Sequence, residues 1–128
     1  MTDKIYDLED RTARFAKEVV RFIGNIIKNV TNIEFSKQLA RSAGSVGANY
    51  IEANEALSKK DFIYRIKICR KEAKESRHWL NLIIVESEGL IKSQKELIQE
   101  STELVKIFSR IIEVSIGKIS SKTDKVSC

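Results

Sequence analysis

The chain has 128 residues, 23 of them basic and 18 acidic, for a formal net charge of +5, with five glycines and no proline. Hydrophobic residues at 42% and charged residues at 32% exclude collagen-like, low-complexity and wholly disordered chains, and the length suits one domain around one core. No apolar run approaches the roughly 20 residues that cross a bilayer, and Met1-Thr2-Asp3-Lys4 begins no signal peptide, so the expected location is cytoplasmic, with no membrane partner.

The first periodic segment runs from about Asp7 to Val30, with Leu8, Phe15, Val19, Phe22 and Ile26 on one helix face. Asp7 is placed to cap it, and Glu9 and Asp10 set negative charge against the free amide groups of the first turn. A second apolar row, Ala16, Val20, Ile23 and Ile27, predicts more than one neighbouring helix. Asn29-Val30-Thr31-Asn32 reads as a loop, because Thr and Asn bond their own backbone. The second helix is expected over about Ile33 to Leu57. Its middle is nearly all small residues, and Gly44 and Gly47 each cost about 1 kcal/mol relative to alanine in a helix interior. Ala40, Gly44, Gly47 and Ala48 therefore predict close helix packing, the alternative being a flexible hinge.

Ser58 three residues before Asp61 predicts the start of helix three. Phe62, Ile66, Cys69, Ala73, Leu80 and Ile83 carry its apolar face to about Ser87, with Gly89 free to close it in the left-handed conformation. Ser93-Gln94-Lys95-Glu96 is a capping box from which helix four continues through Leu97, Ser101, Leu104, Phe108 and Ile111 to about Lys118. Residues 119–128 are polar and aperiodic and read as a disordered tail, leaving a single domain over residues 1–118. Short connections between four long helices predict an all-α fold, an antiparallel up-down-up-down four-helix bundle. Helix four carries additional apolar rows, Ile98, Val105 and Ile112 on one side and Ile107 and Val114 on the other. That surplus predicts a homo-oligomer, the alternative being a deeply buried fourth helix.

The positive charge has one source. Residues 1–57 and 81–128 each balance to zero, whereas residues 58–80 hold eight basic against three acidic side chains. At about 100° per residue, Lys60, Lys67, Arg70, Lys71, Lys74 and Arg77 fall with His78 within a third of the circumference of helix three, and Asp61, Glu72 and Glu75 lie on the opposite flank. Three readings stay open. The stripe is a nucleic-acid-binding edge that neutralises phosphates, or the basic and acidic edges join subunits, or the face is simply solvated. It lacks the interleaved aromatics that stack single-stranded bases.

Nothing in the sequence calls for a catalytic residue, cofactor, metal or small-molecule substrate, and the expectation is a non-enzyme. His78 has no second histidine or cysteine at metal-ligand spacing, and Cys69 and Cys128 supply neither a disulfide framework nor a zinc cluster. Glu72 and Glu75 lack the Glu-x-x-His step of di-iron bundles, and Gly44-Ser45-Val46-Gly47 is not followed by the Lys-Ser or Lys-Thr of a phosphate loop. Asp7-Leu8-Glu9, the run from Gln38-Leu39-Ala40 to Glu52-Ala53, and Lys71-Glu72-Ala73-Lys74-Glu75 with Trp79-Leu80 resemble the 23S ribosomal RNA intervening-sequence proteins. The resemblance covers nearly the whole chain up to the tail. It implies an antiparallel four-helix bundle that often forms a ring-shaped homopentamer, and it implies no known reaction.

Overall fold

The computed structural model describes residues 7–117. They form α1 (Leu8–Asn25), α2 (Val30–Asn54), α3 (Lys59–Leu82) and α4 (Glu88–Ser115), with no strand among the described residues. The expected tail, 119–128, lies outside them. Tertiary pairs run in opposite numerical order on each tight seam. Ser42 meets Ser76 while Asn49 meets Arg65, and Arg70 meets Ser109 while Arg77 meets Thr102. Glu9 of α1 likewise reaches Asn54 at the far end of α2. The bundle is therefore antiparallel.

Each helix starts on a short polar side chain that satisfies an otherwise free amide. Asp7 Oδ1 accepts from Asp10 N at 3.1 Å, Asn29 Oδ1 from Asn32 N at 2.8 Å, Ser58 Oγ from Asp61 N at 3.0 Å and Ser87 Oγ from Leu90 N at 3.2 Å. Two of these caps displace the expected boundaries. The segment read as a loop at 29–32 is the cap and first turn of α2, so α1 ends at Asn25. Helix α4 begins at Glu88 instead of after Ser93, which puts Gly89 in its first turn; the left-handed glycine is Gly117, at φ 81°.

Tertiary hydrogen bonds explain both shifts. The buried Asn32 donates from Nδ2 to the carbonyls of Ile27 (3.0 Å) and Ile84 (2.9 Å) and accepts from Ile84 N (3.0 Å), tying the two loops at one end of the bundle. Gln94, inside α4, donates to the carbonyls of Leu80 (2.7 Å) and Ile83 (2.9 Å), which the end of α3 would otherwise leave unpaired.

The rows read from the sequence on the first, third and fourth helices fill the core: Phe15, Val19, Phe22, Ile66, Leu80, Leu104 and Phe108 are all buried, and α2 adds Leu39 and Val46, which the sequence reading did not single out. Small residues serve close approach at fewer positions than expected. A methyl group on Gly47 would stand 3.0 Å from Thr12 Oγ1, and Thr12 is pinned by hydrogen bonds to the carbonyls of Leu8 and Glu9. Nothing lies near Gly44, however, and Ala40, Gly44 and Ala48 share an outward face of α2. Among the glycines of the described residues only Gly47 has a close contact. Gly47→Val should destabilise the fold by about 1–3 kcal/mol, because Thr12 has no room to turn away; a thermal melt matching the wild type would contradict this.

The apolar surplus also lies elsewhere than expected. On α4, Ile112 is buried and Ile98, Val105, Ile107 and Ile111 pack half-buried against the core. The exposed large apolar side chains are spread over the surface: Val20 and Ile27 on the α1 side, Val30, Ile33 and Ile51 on α2, Tyr64 on α3, and Leu57, Leu82, Ile84 and Ile116 at helix ends and in the connections.

Cys69 is fully buried, and burial pushes its thiol up from 9.0 to about 12. In a Cys128→Ser chain, a disulfide-exchange reagent at pH 8 should label this thiol only after denaturant is added; prompt labelling of the native chain would contradict its burial. The thiol of the unfolded chain ionises near 9.0 while the folded one stays protonated to about 12. This group's contribution to stability is therefore full below pH 9 and declines as pH rises through that window.

Candidate nucleic-acid interface

The six basic residues singled out on helix three divide into two sets. Lys60, Lys67, Lys71 and Lys74 are exposed on the outward ridge of α3, together with His78. Lys67, Lys71 and Lys74 lie within about 11 Å along the axis, at 1.5 Å per residue. Arg70 and Arg77 turn toward α4 and are half-buried. Arg70 Nη1 donates to Ser109 Oγ at 3.3 Å and Arg77 Nη1 to Thr102 Oγ1 at 3.2 Å. These two arginines stitch α3 to α4 and present only part of their charge to solvent.

The outward surface gains a cation that the charge sums hide. Arg41 of α2 lines the same shallow depression as Lys67, Lys71, Lys74, Glu75, His78 and Trp79, and Arg70 reaches its edge while it bonds Ser109. Residues 1–57 balance to zero along the chain, but the helix pairing brings Arg41 to α3. Its periodic position on the solvent side of α2 was the available signal. Lys106 is exposed on α4 between Thr102 and Ser109, the two hydroxyls that the arginines hold, and it extends the positive surface across the seam.

Acidic groups near the ridge are few and engaged. Glu75 Oε1 lies 3.7 Å from Arg41 Nη2, and Glu72, only 6% exposed, has Oε2 3.6 Å from Lys71 Nζ. Glu72 Oε1 and the indole nitrogen of Trp79 are buried without a hydrogen-bond partner in the protein. The Trp79 ring is stacked on Phe35 at 5.7 Å and edged by His78 at 4.8 Å, so its faces are occupied. Tyr64 is exposed but sits beside Arg65, whose guanidinium lies 5.8 Å from the ring. What the ridge offers a ligand is positive charge, with Tyr64 as the one exposed aromatic ring on α3.

A family model described as 23S rRNA-intervening sequence protein matches residues 6–110. The chain belongs to the 23S rRNA-intervening sequence protein family. Among solved structures it is similar to a protein of unknown function from the S23 ribosomal protein family of Bacteroides thetaiotaomicron VPI-5482. That likeness has 34% identity and a TM-score of 0.70, and it covers 82% of this chain and 97% of that one. No protein of curated function matches.

In this member of the 23S rRNA-intervening sequence protein family, the groups suited to chemistry stand apart. Cys69 points into the core and His78 lies on the outer surface of the same helix. Among the described residues no three histidine, cysteine, aspartate or glutamate side chains group to hold a metal, and no helix is long and apolar enough to cross a membrane.

Proposed function

We propose that this chain is a non-enzymatic bundle that assembles with copies of itself into a ring and presents the outward ridge of α3 to a nucleic acid. The observation that carries the reading is the convergence of Arg41, Lys67, Lys71 and Lys74 on one surface where Glu72 is buried and Glu75 faces Arg41. Such a surface binds phosphates by releasing counterions and does not read base sequence. With a single exposed aromatic ring, Tyr64, and none interleaved among Lys67, Lys71 and Lys74, it suits duplex backbones better than stacked single strands.

The rival reading, in which unlike edges of α3 join subunits, has less support, because two of its three acidic residues are engaged inside the protomer. The separation of Cys69 from His78, with the thiol held protonated, supports the absence of nucleophilic catalysis. Fluorescence anisotropy with labelled duplex RNA, duplex DNA and single strands tests the reading. It requires salt-steep binding that weakens when Lys67, Lys71 and Lys74 are reversed to glutamate, and unchanged binding after that reversal would remove the ridge from the account.

A further inference from the structure

The cations of the outward surface are not evenly spread. Arg41, Lys67, Arg70, Lys71 and Lys74 gather around one depression of about 650 Å³ that α2 and α3 share, and Lys67 to Lys74 spans only about 11 Å of helix. Two carboxylates oppose them: Glu75 in the depression, 3.7 Å from Arg41 Nη2, and the buried Glu72, 3.6 Å from Lys71 Nζ. Five cations less two carboxylates leave a surplus of three positive charges at one spot. Both ion-pair distances exceed those of hydrogen-bonded pairs, so Arg41 and Lys71 keep donors for a ligand.

A phosphodiester inside a duplex carries a single negative charge and is held between two sugars, so a continuous backbone passes over a depression of this kind. A terminal phosphomonoester carries about −1.5 to −2 at pH 7 and offers three strong acceptor oxygens. It is tethered on one side only and can enter.

The same face carries a second feature. Lys60, Tyr64, Lys67, Lys71 and Lys74 follow one another at four- and three-residue steps, which sets Tyr64 in line with the lysines. Its side chain is 59% exposed. Arg65, held by its bond to Asn49 Oδ1 at 3.0 Å, has its guanidinium 5.8 Å from the ring centroid and backs one face of the ring. That leaves the other face open, about 4.5 Å along the helix from Lys67. The interior of a duplex has no free base face for such a ring, whereas an end exposes the face of its last base pair.

We propose that α3 binds the end of a nucleic-acid duplex, with a terminal phosphomonoester in the depression beside Arg41 and the last base pair stacked on Tyr64. The inference rests on the phosphate-ridge reading above and narrows its ligand from any duplex backbone to a phosphorylated duplex end.

Fluorescence anisotropy of the full chain with three internally labelled blunt duplexes tests this. One has about 12 base pairs and 5′-phosphates, the second is the same duplex with hydroxyl ends, and the third is hydroxyl-ended but about two base pairs longer, which matches the total charge of the first. The phosphorylated duplex should bind about tenfold tighter than either of the others. Arg41→Gln should cut that preference to about threefold or less, and Tyr64→Ala should weaken binding of the phosphorylated duplex by about tenfold. Both side chains are exposed, so the circular dichroism spectra should match the wild type. Equal affinity for the three duplexes, a preference undiminished by Arg41→Gln, or full affinity after Tyr64→Ala would overturn the proposal. Salt-steep but equal binding of all three discards end recognition and leaves the phosphate ridge standing, whereas failure to bind any duplex at low salt discards both.

Discussion

Asn32→Ala should lower the stability of the fold by about 2–4 kcal/mol, the largest effect expected from any single polar side chain in the bundle. The loss is not one hydrogen bond. Removing the amide strands the carbonyls of Ile27 and Ile84 and the Ile84 amide at once, and a buried polar group left unpaired costs about 1–3 kcal/mol, partly offset where water can enter. For a domain of this size that corresponds to a Tm lower by about 10 °C. The conservative Asn32→Asp keeps an acceptor for Ile84 N but loses both donated bonds, so it should fare no better. A thermal melt of Asn32→Ala within about 2 °C of the wild type would show that the staple between the two loops contributes little.

The second large effect concerns binding. Reversing Lys67, Lys71 and Lys74 to glutamate removes three phosphate contacts from each copy and adds repulsion in their place. The slope of log affinity against log salt should fall by about 3 for each ridge engaged, and affinity at about 0.1 M salt should drop by about 100-fold or more, equally for all duplex sequences. These side chains are exposed, so the melting temperature should change little. The arginines of the same stripe should behave in the opposite way. Arg70→Gln with Arg77→Gln breaks the bonds to Ser109 and Thr102 and should lower stability by about 1–2 kcal/mol while leaving most of the salt slope in place. Equal losses of binding from both sets would mean that the division of the stripe is wrong.

That division marks where sequence reading runs out. A helical wheel places Arg70 and Arg77 beside the lysines because all six share one third of α3. It carries no information about Thr102 and Ser109, which reach the same edge from α4. Arg41 was missed for the complementary reason, since its contribution depends on the pairing of α2 with α3. Periodicity was sufficient for the core on three helices, because burial of Phe15, Ile66 and Leu104 follows from spacing alone, whereas on α2 the small residues drew the reading to an exposed face and away from Leu39 and Val46.

Helix boundaries followed a similar rule. Asp7 and Ser58 cap the helices that the sequence assigned to them. Asn29 competed with Asn32, and Ser87 with Ser93. Locally the box from Ser93 to Glu96 is the more complete signal, yet Gln94 must already be helical to reach Leu80 and Ile83. Likewise Asn32 is drawn into α2 by a partner 52 residues away. The two glycines of α2 look alike in sequence, and only the approach of Thr12 distinguishes Gly47 from Gly44.

The most direct test of the central claim is the anisotropy of labelled duplex RNA, duplex DNA and single strands titrated with the wild-type chain from low to physiological salt. A lysine ridge that grips phosphates predicts tight binding at low salt, a steep log–log decline for both duplexes regardless of sequence, and weaker binding of single strands. Absence of binding at about 50 mM salt, where counterion release is strongly favourable, would contradict it.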